Sequence, residues 1–270
     1  MRSIILLLCL VSLGACAFVD NSHPRNAMPL EAGEYRTIYG LASSNNIYHM
    51  GRYEPDSLNA ELQNRPIVEY ATQTPIIQDL GLGNGFAIGF QGGAFFGPGF
   101  KGRGYEQLYS DMTMNFYAKV NLQKSIELGS DTYIAVFPAV GIGRGIEALA
   151  QSHRIRYKRI SVELPVTISK FVPLSTKTDL IFSLSARSAR DWLMSDINGP
   201  GPGAWSYTAY LDQPQNEFKR HAAMAHIDFF FSKRWNIAVQ AGAEYSTGDS
   251  GTKWSPIFYL GLGPKTIRKF

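Results

Sequence analysis

A histidine and an aspartate two positions apart, His226 and Asp228, are the residues best suited to acid–base chemistry. A spacing of two places both side chains on the same face of a β-strand. A histidine that is oriented by a carboxylate acts as a general base when a nucleophile lies within about 3 Å, and Ser183 and Ser185 are the candidates. The pattern places these serines on a strand that does not neighbour the histidine, so we interpret the pair as structural.

The other motifs predict neither a metal nor a cofactor. The sequence has no HExxH motif, no paired histidines and no cysteine cluster of the kind that binds zinc. The glycine-rich segment 97–105, GPGFKGRGY, lacks the following helix and the Lys-Ser or Lys-Thr ending of a phosphate-binding loop, and is interpreted as a turn. The formal net charge of +4 is small and scattered, which argues against a nucleic-acid partner.

The elements that carry the histidine and the aspartate alternate in polarity. Within 222–246, every second side chain is apolar along two runs that meet at the polar break 232–234, which predicts a β-hairpin. The apolar face is about ten residues long in each strand, and aromatic residues lie near its ends, at Trp235 and Tyr245. A long aliphatic face between aromatic residues is typical of a transmembrane β-barrel, in which that face contacts lipid.

The same alternation recurs along the chain and predicts the fold class. It indicates an all-β protein, an antiparallel transmembrane β-barrel, with ten strands favoured within a range of about eight to twelve. The predicted strands are 34–42, 66–73, 86–96, 108–122, 131–143, 155–168, 179–187, the two halves of 222–246, and 254–263. Segment 75–85 is interpreted as a break. Pro138 and Pro165 should each cause a bulge or a local gap, because proline cannot donate a ladder hydrogen bond.

Polar and charged side chains on the other face of these strands define a predicted lumen. Both signs of charge occur on several strands, so pairing of these side chains in a narrow barrel would fill the interior. A hydrophilic pore lining in a wider barrel is the alternative. The predicted members of this polar network are Asp111, Asn115, Lys119, Arg159, Glu163, Arg187, His226, Asp228, Gln240 and Glu244.

Loop lengths predict the orientation of the barrel, because outer-membrane barrels have short periplasmic turns and longer extracellular loops. The predicted periplasmic turns are 123–130, 169–177 and 232–234, and the predicted outside loops are 97–105, 144–153, 188–220 and 247–253. The longest loop, 188–220, is rich in tryptophan and tyrosine. Loops of such length are usually functional or disordered, so this one is the candidate surface for contact with an extracellular partner.

The N-terminal sequence resembles that of a bacterial lipoprotein. Arg2 precedes an apolar run that is too short to span a bilayer as a helix, and segment 13–16, LGAC, resembles a lipobox. The resemblance implies removal of residues 1–15, a diacylglyceryl thioether on Cys16 and an acylated amino group. Ala17, in place of the aspartate that holds such lipoproteins at the inner membrane, favours outer-membrane sorting. An ordinary secretory signal peptide is the alternative.

The predicted organisation has four parts. They are a signal peptide at 1–15, a lipidated tether at 16–33, the barrel at 34–263 and a tail at 264–270. The tether lacks periodicity and contains two prolines, and His23 within it is predicted to be solvated. If the tether does not cross the barrel, the lipid on Cys16 lies on the periplasmic side.

The chain thus resembles bacterial outer-membrane lipoproteins whose body is a small β-barrel, with outer-membrane lipid as the predicted partner. The leading hypothesis is a non-enzymatic envelope role, either structural or in the passage of small solutes. Two alternatives stay open: an outer-membrane enzyme that modifies lipid, and a lipid-anchored soluble carrier with a lipocalin-like barrel. The carrier requires an apolar lumen and a polar exterior, which is the inverse of the predicted faces.

Overall fold

The described residues form a closed antiparallel β-barrel of ten strands, which confirms the predicted fold class and the favoured strand number. The computed structural model describes residues 18–20, 22–46, 70–97, 113–150, 153–198, 217–231, 235–248 and 251–264. No helix in this part of the chain is long and apolar enough to cross a membrane.

The described residues contain twelve strand segments, and eleven of them, β2 to β12, build the ten strands of the barrel. In chain order they are β1 (Phe18–Asp20), β2 (Tyr35–Asn46), β3 (Tyr70–Gly83), β4 (Phe86–Gly97), β5 (Thr113–Gly129), β6 (Thr132–Val136), β7 (Ala139–Ala150), β8 (His153–Pro173), β9 (Asp179–Asn198), β10 (Glu217–Phe231), β11 (Trp235–Gly248) and β12 (Gly251–Pro264). The segments β6 and β7 are two halves of one barrel strand, since both pair with β5 and β8. The short β1 pairs with the end of β2.

The barrel closes because β2 pairs with β12 as well as with β3. Strands that follow one another in the chain are neighbours around the wall, so the connections alternate between its two ends. The short-turn end is the one with the connections 84–85, 130–131, 174–178 and 232–234. The opposite end, which includes the connections 47–69, 98–112 and 199–216, is the long-loop end.

Several strands extend further towards the long-loop end than predicted. β9 runs to Asn198 and β10 starts at Glu217, so much of the predicted loop 188–220 is strand, and its remainder, 199–216, lies outside the described residues. The predicted loop 144–153 is likewise mostly strand, within β7 and β8. These predictions were wrong because polar residues at a strand end were taken as a sign of a loop.

The predicted break at 75–85 is also wrong, because β3 runs through it to Gly83. On this strand the polarity does not alternate as it does elsewhere. The inward face combines Ile77 with Asp79, both buried, whereas Gln78 is exposed on the outside. A period of two in hydrophobicity is therefore missing from a segment whose backbone is nevertheless a regular strand.

Pro138 interrupts a barrel strand, as the sequence predicts. It lies in the gap between β6 and β7. The gap keeps its hydrogen bonds to both neighbouring strands, because Leu122 N donates to Pro138 O (3.0 Å) and Phe137 N donates to Pro165 O (2.9 Å). The two prolines are thus accommodated at one place in the wall.

The two faces of the wall are inverted relative to a soluble protein. Val162 is 46% exposed and Val239 is 40% exposed, whereas Gln240 is completely buried. Trp235 and Tyr245 lie ten positions apart on β11, which corresponds to about 26 Å of barrel height at about 3.4 Å per residue and a tilt of about 40°. The predicted assignment of apolar side chains to the outside and polar ones to the lumen is confirmed for these described residues.

Candidate functional site

The lumen contains eight of the ten residues predicted to form a polar network, and each of the eight is at most 4% exposed. They are Lys119, Arg159, Glu163, Arg187, His226, Asp228, Gln240 and Glu244. Asp111 lies outside the described residues, and Asn115 lies on β5 at a position whose side chain is not described. The eight side chains divide into two groups at different heights in the barrel.

Arg220 is the centre of the group nearer the long-loop end, which we call the upper network. Its Nη1 lies 2.9 Å from Glu244 Oε2, its Nη2 lies 3.3 Å from Glu163 Oε1, and its Nε pairs with Asp191. Arg187 pairs with the same carboxylate of Glu244. These side chains are fully buried, so their charges depend on one another for the stabilisation that water would otherwise give.

Two further cations complete the upper network. Lys119 Nζ lies 2.9 Å from Glu163 Oε2, and Arg159 Nε lies 3.3 Å from Asp191 Oδ1. The contributing strands are β5, β8, β9, β10 and β11, so the network joins half of the wall across the lumen. Arg220, Lys119, Arg159 and Arg187 face three carboxylates, which leaves a formal charge of +1 within the network.

The segment 22–27, which we call the plug, lies in the lumen closer to the short-turn end. All of its residues are buried. The predicted tether 16–33 therefore lies inside the barrel at these residues. The prediction that His23 is solvated is wrong, since that residue is 2% exposed. A barrel of about eight strands is filled by its own side chains, and the wider ten-strand barrel has room for a chain segment.

Side chains of the wall bind the backbone of the plug. His23 N donates to Gln240 Oε1 (2.9 Å), and Gln240 Nε2 donates to His23 O (2.7 Å). Ala27 N donates to Ser169 Oγ (2.8 Å). A buried backbone amide or carbonyl needs a partner of this kind, so Gln240 and Ser169 fix the height of the plug in the lumen.

Arg25 connects the plug to β3 and β4. Its Nε lies 2.8 Å from Asp79 Oδ1, its Nη1 donates to Gln91 Oε1 (2.7 Å), and its Nη2 donates to Phe90 O (3.1 Å). The second carboxylate oxygen of Asp79 lies 2.7 Å from Arg36 Nη2. One buried carboxylate is therefore shared between an arginine of the plug and an arginine of the wall.

Asn26 connects the plug to the opposite side of the wall. Its Nδ2 donates to Asp228 Oδ2 (2.5 Å), while Asn236 Nδ2 donates to Asp228 Oδ1 (2.9 Å). Just after the plug, Met28 O accepts a hydrogen bond from Gln123 Nε2 (3.0 Å). Together these contacts join residues 22–28 to β3, β4, β5, β8, β10 and β11, which is most of the circumference.

The His226–Asp228 pair lies at the level of the plug and is enclosed. His226 Nε2 lies 3.4 Å from Asp228 Oδ1. The prediction that Ser183 is on a non-neighbouring strand is wrong, because β9 and β10 are adjacent and Ser183 pairs with His226 in their ladder. The Ser183 hydroxyl shares a hydrogen bond with Ser169 Oγ (2.7 Å). Since all of these groups are buried, the arrangement favours a packing role over catalysis.

A cavity of about 160 Å³ lies between the plug and the wall at the short-turn end. Its lining is mainly apolar and includes Met28, Ile38, Phe171 and Phe230. Among the described residues, no group of three or more histidine, cysteine, aspartate or glutamate side chains is placed to hold a metal ion. The principal features of the described lumen are the upper network and the plug.

Among the residues that the structure describes, sequence reasoning missed five charged residues of the lumen: Arg25, Arg36, Asp79, Asp191 and Arg220. The steps of two that connect Arg187 to Asp191, and Arg220 to His226, carry the inward face into what was taken for a loop. That continuity is the signal that could have identified Asp191 and Arg220. The plug has no such periodicity, so its position cannot be read from the residues of 22–27 alone.

No family model and no curated protein matches this sequence. Among solved structures, the chain is similar to the beta domain of the Bordetella autotransporter BrkA (10% identity, 87% of this chain and 99% of that one, TM-score 0.43). It is also similar to the outer-membrane protease OmpT of Escherichia coli (8%, 86% and 91%, 0.36) and to Ail, the attachment invasion locus protein of Yersinia pestis (11%, 86% and 98%, 0.29). At these identities and TM-scores, the activities of those proteins carry no argument for this chain.

Proposed function

We propose that this protein is a lipid-anchored β-barrel of the bacterial outer membrane with a non-enzymatic, structural role in the envelope. The observation that supports this role best is the content of the lumen. The plug and the upper network bring buried polar side chains into contact with one another, where an open pore would expose them to water. Of the two passive roles that the sequence predicts, this arrangement favours a structural barrel over the passage of small solutes.

The outer face supports the membrane location. Large aliphatic side chains are exposed all around the described wall, including Leu184 at 64% and Val140 at 57%. Such a continuous apolar surface would aggregate in water. The spacing of Trp235 and Tyr245, about 26 Å of barrel height, agrees with the apolar band of about 25 Å that outer-membrane barrels have between their aromatic girdles.

A charge on this face is expected to destabilise the barrel in lipid. Leu184 lies on the outward face of β9, is 64% exposed, and has the apolar residues Ile168 and Ala225 as its partners on the neighbouring strands. Leu184→Arg should lower the free energy of unfolding in lipid vesicles by about 2–4 kcal/mol, because the cation would lie near the middle of the bilayer. Leu174→Arg is the matched control. Leu174 is 54% exposed in a short turn, and its substitution should cost about 0–1 kcal/mol. Equal effects of the two substitutions would contradict the membrane location.

The anchor is proposed on Cys16. Its sulfur forms a thioether bond to a glycerol carbon of a donor phospholipid, the bond from that carbon to the phosphate headgroup breaks, and the thiol proton leaves with the headgroup. Water then hydrolyses the peptide bond before Cys16, and the free amine takes an acyl chain from a second phospholipid, which is released as a lysophospholipid. Several acyl chains together form a stable anchor, since each buried CH₂ contributes about 0.8 kcal/mol.

The proposed contact surface is at the long-loop end, which faces the outside if short turns are periplasmic. Of the aromatic residues in the predicted loop 188–220, Trp205, Tyr207 and Tyr210 lie in the part that follows β9. Aromatic side chains of this kind are common in protein interfaces. We therefore keep 199–216 as the candidate segment for an extracellular partner.

Conductance of the full chain in planar lipid bilayers tests the structural role. A barrel with a filled lumen should insert without producing discrete current steps in salt solution. Inserted protein is verified separately by its resistance to extraction from the vesicles by high salt. Regular open steps from the full chain would overturn the closed-barrel role and would favour passage of small solutes.

The alternatives have less support. A lipocalin-like carrier needs an apolar lumen and a polar exterior, and the described faces have the opposite character, as Val239 and Gln240 illustrate. A lipid-modifying enzyme needs a base that substrate can reach, whereas His226 is 1% exposed and lies at the level of the plug. Both features argue for the passive barrel.

A further inference from the structure

We propose that the chain threads its own barrel from the long-loop end to the short-turn end, so that Cys16 and its lipid are displayed at the extracellular face. The inference rests on the proposed function for the membrane orientation and for the lipid on Cys16. The sequence places the lipid on the periplasmic side only if the tether does not cross the barrel, and in this proposal the tether does cross it. The threading itself is inferred from the contacts that the segment 18–34 makes with the wall.

The start of the threaded segment is at the long-loop end. β1 is antiparallel to β2, with Phe18 opposite Asn46 and Asp20 opposite Ser44. Asn46 is the last residue of β2, immediately before the connection 47–69. Because the two strands are antiparallel, the chain leaves Phe18 in the direction of the short-turn end.

The end of the threaded segment is at the short-turn end. Gly33 N donates to Gly81 O (3.0 Å), and Gly81 N donates to Glu34 O (2.8 Å). Gly81 precedes the turn 84–85 by only a few residues. A Cβ atom at Gly81 would lie 2.0 Å from Glu31 O, so the glycine permits this close approach. The chain then enters β2 and returns towards the long-loop end.

Contacts between these two points descend in order along the wall. His23 is bonded to Gln240, which lies five positions from the start of β11 at the short-turn end. Asn26 is bonded to Asp228, which lies three positions from the end of β10 at the same end of the barrel. The fifteen steps from Phe18 to Gly33 can span at most about 50 Å when extended, which exceeds the roughly 30 Å of a bilayer core.

The chemistry of the segment explains why it lies inside. His23, Arg25 and Asn26 could not face lipid without partners for their polar groups. Inside the barrel, the cation of Arg25 and the amide of Asn26 meet the carboxylates of Asp79 and Asp228. Withdrawal of the segment would remove these partners from both carboxylates in a low-dielectric interior, which opposes its release.

The position of Cys16 follows from its distance to β1. One residue, Ala17, separates it from Phe18, so the Cα atoms of Cys16 and Phe18 are at most about 7 Å apart. Phe18 is opposite Asn46, at the long-loop end of β2. Acyl chains on Cys16 would then reach the outer leaflet beside the barrel. The partner of the lipidated N-terminus is therefore the apolar layer of the outer leaflet and not the periplasmic leaflet.

A disulfide tests the threading without reference to a membrane. Residues opposite each other in antiparallel strands have Cα atoms about 4.5–5.5 Å apart, which a disulfide can bridge. Phe18→Cys combined with Asn46→Cys should give a cross-link on mild oxidation, identified by mass spectrometry of the linked peptides. Phe18→Cys combined with Lys177→Cys, in a short turn, should give none. The reverse result would overturn the threading.

Epitope insertion in intact cells tests the display. One tag is inserted after Ala17, a second within 174–178 and a third within 199–216, each in a variant that remains protease-resistant in the membrane. An impermeant antibody should label the first and third tags and not the second. If the third alone is labelled, the threading is overturned while the orientation stands. If the second alone is labelled, the orientation in the proposed function fails, and extracellular display fails with it.

The lipid is tested in the same cells with an alkyne-labelled fatty acid. Incorporation should occur in the wild-type chain and be lost in Cys16→Ala. The threading predicts that the tag after Ala17 stays accessible in Cys16→Ala, since the contacts of the plug do not involve the lipid. Loss of accessibility in this variant, with the 199–216 tag still labelled, would show that the lipid and not the lumen positions the N-terminus.

Discussion

Replacement of residues 22–27 by a glycine–serine segment of the same length should convert the closed barrel into a conducting one. The replacement removes the guanidinium of Arg25 and the amide of Asn26, and it leaves Asp79, Gln91 and Asp228 facing a water-filled space. A glycine–serine segment keeps the backbone groups that bond Gln240 and Ser169, but it is flexible and lacks the large side chains that fill this part of the lumen. We expect discrete current steps in planar bilayers from the variant and none from the full natural chain.

The matched control replaces the exposed turn 174–178 by glycine and serine. That turn lies at the same end of the barrel and contacts the plug through none of the hydrogen bonds described. The control variant should therefore give no current steps in planar bilayers. A variant of 22–27 that remains folded and silent would contradict the assignment of the plug as the element that closes the lumen, and would assign the closure to the upper network instead. Conductance of the control would show that turn replacement alone perturbs the wall.

Arg220→Met is expected to lower the free energy of unfolding by about 3–5 kcal/mol, because it removes the cation that three buried carboxylates share. The Arg220 guanidinium pairs with Asp191, Glu163 and Glu244. Methionine has a similar length and fills the space without charge. Urea unfolding of the barrel in lipid vesicles, followed by tryptophan fluorescence, measures the difference.

Arg190→Met is the matched control for this substitution. Arg190 lies on β9, the strand next to β10, and pairs with Glu217, but the two side chains are 52% and 33% exposed. A solvent-exposed pair contributes about 0–1 kcal/mol, so the control should change the free energy of unfolding little. An equally small effect of Arg220→Met would mean that the upper network is not a buried network in the folded protein.

The outward face of the barrel could be predicted from the sequence because lipid imposes a simple rule on it. Most lipid-facing positions are apolar, with Gln78 as an exception, so Val162 and Val239 belong to runs with a period of two. The inward face is under no such rule. It combines Ile77 and Tyr259 with Asp79 and Gln240, all buried, since any side chain that finds a partner is tolerated there.

The plug could not be predicted for a different physical reason. Its backbone is bonded by side chains from distant strands, such as Gln240 and Ser169, and not by a ladder that would impose a pattern on its own residues. In the sequence, Arg25 looks like a residue of a solvated segment. Its buried partners, Asp79 and Gln91, surround it only because the barrel closes. Only the tertiary structure supplies that information.

Amide hydrogen exchange of the plug, followed by NMR on the folded protein in micelles, tests the central claim most directly. The amides of His23 and Ala27 are buried and donate to Gln240 Oε1 and Ser169 Oγ. They should therefore exchange as slowly as amides of the surrounding strands. Exchange of both amides at the rate of an unstructured chain, with the strands still protected, would contradict a barrel closed by its own N-terminal segment.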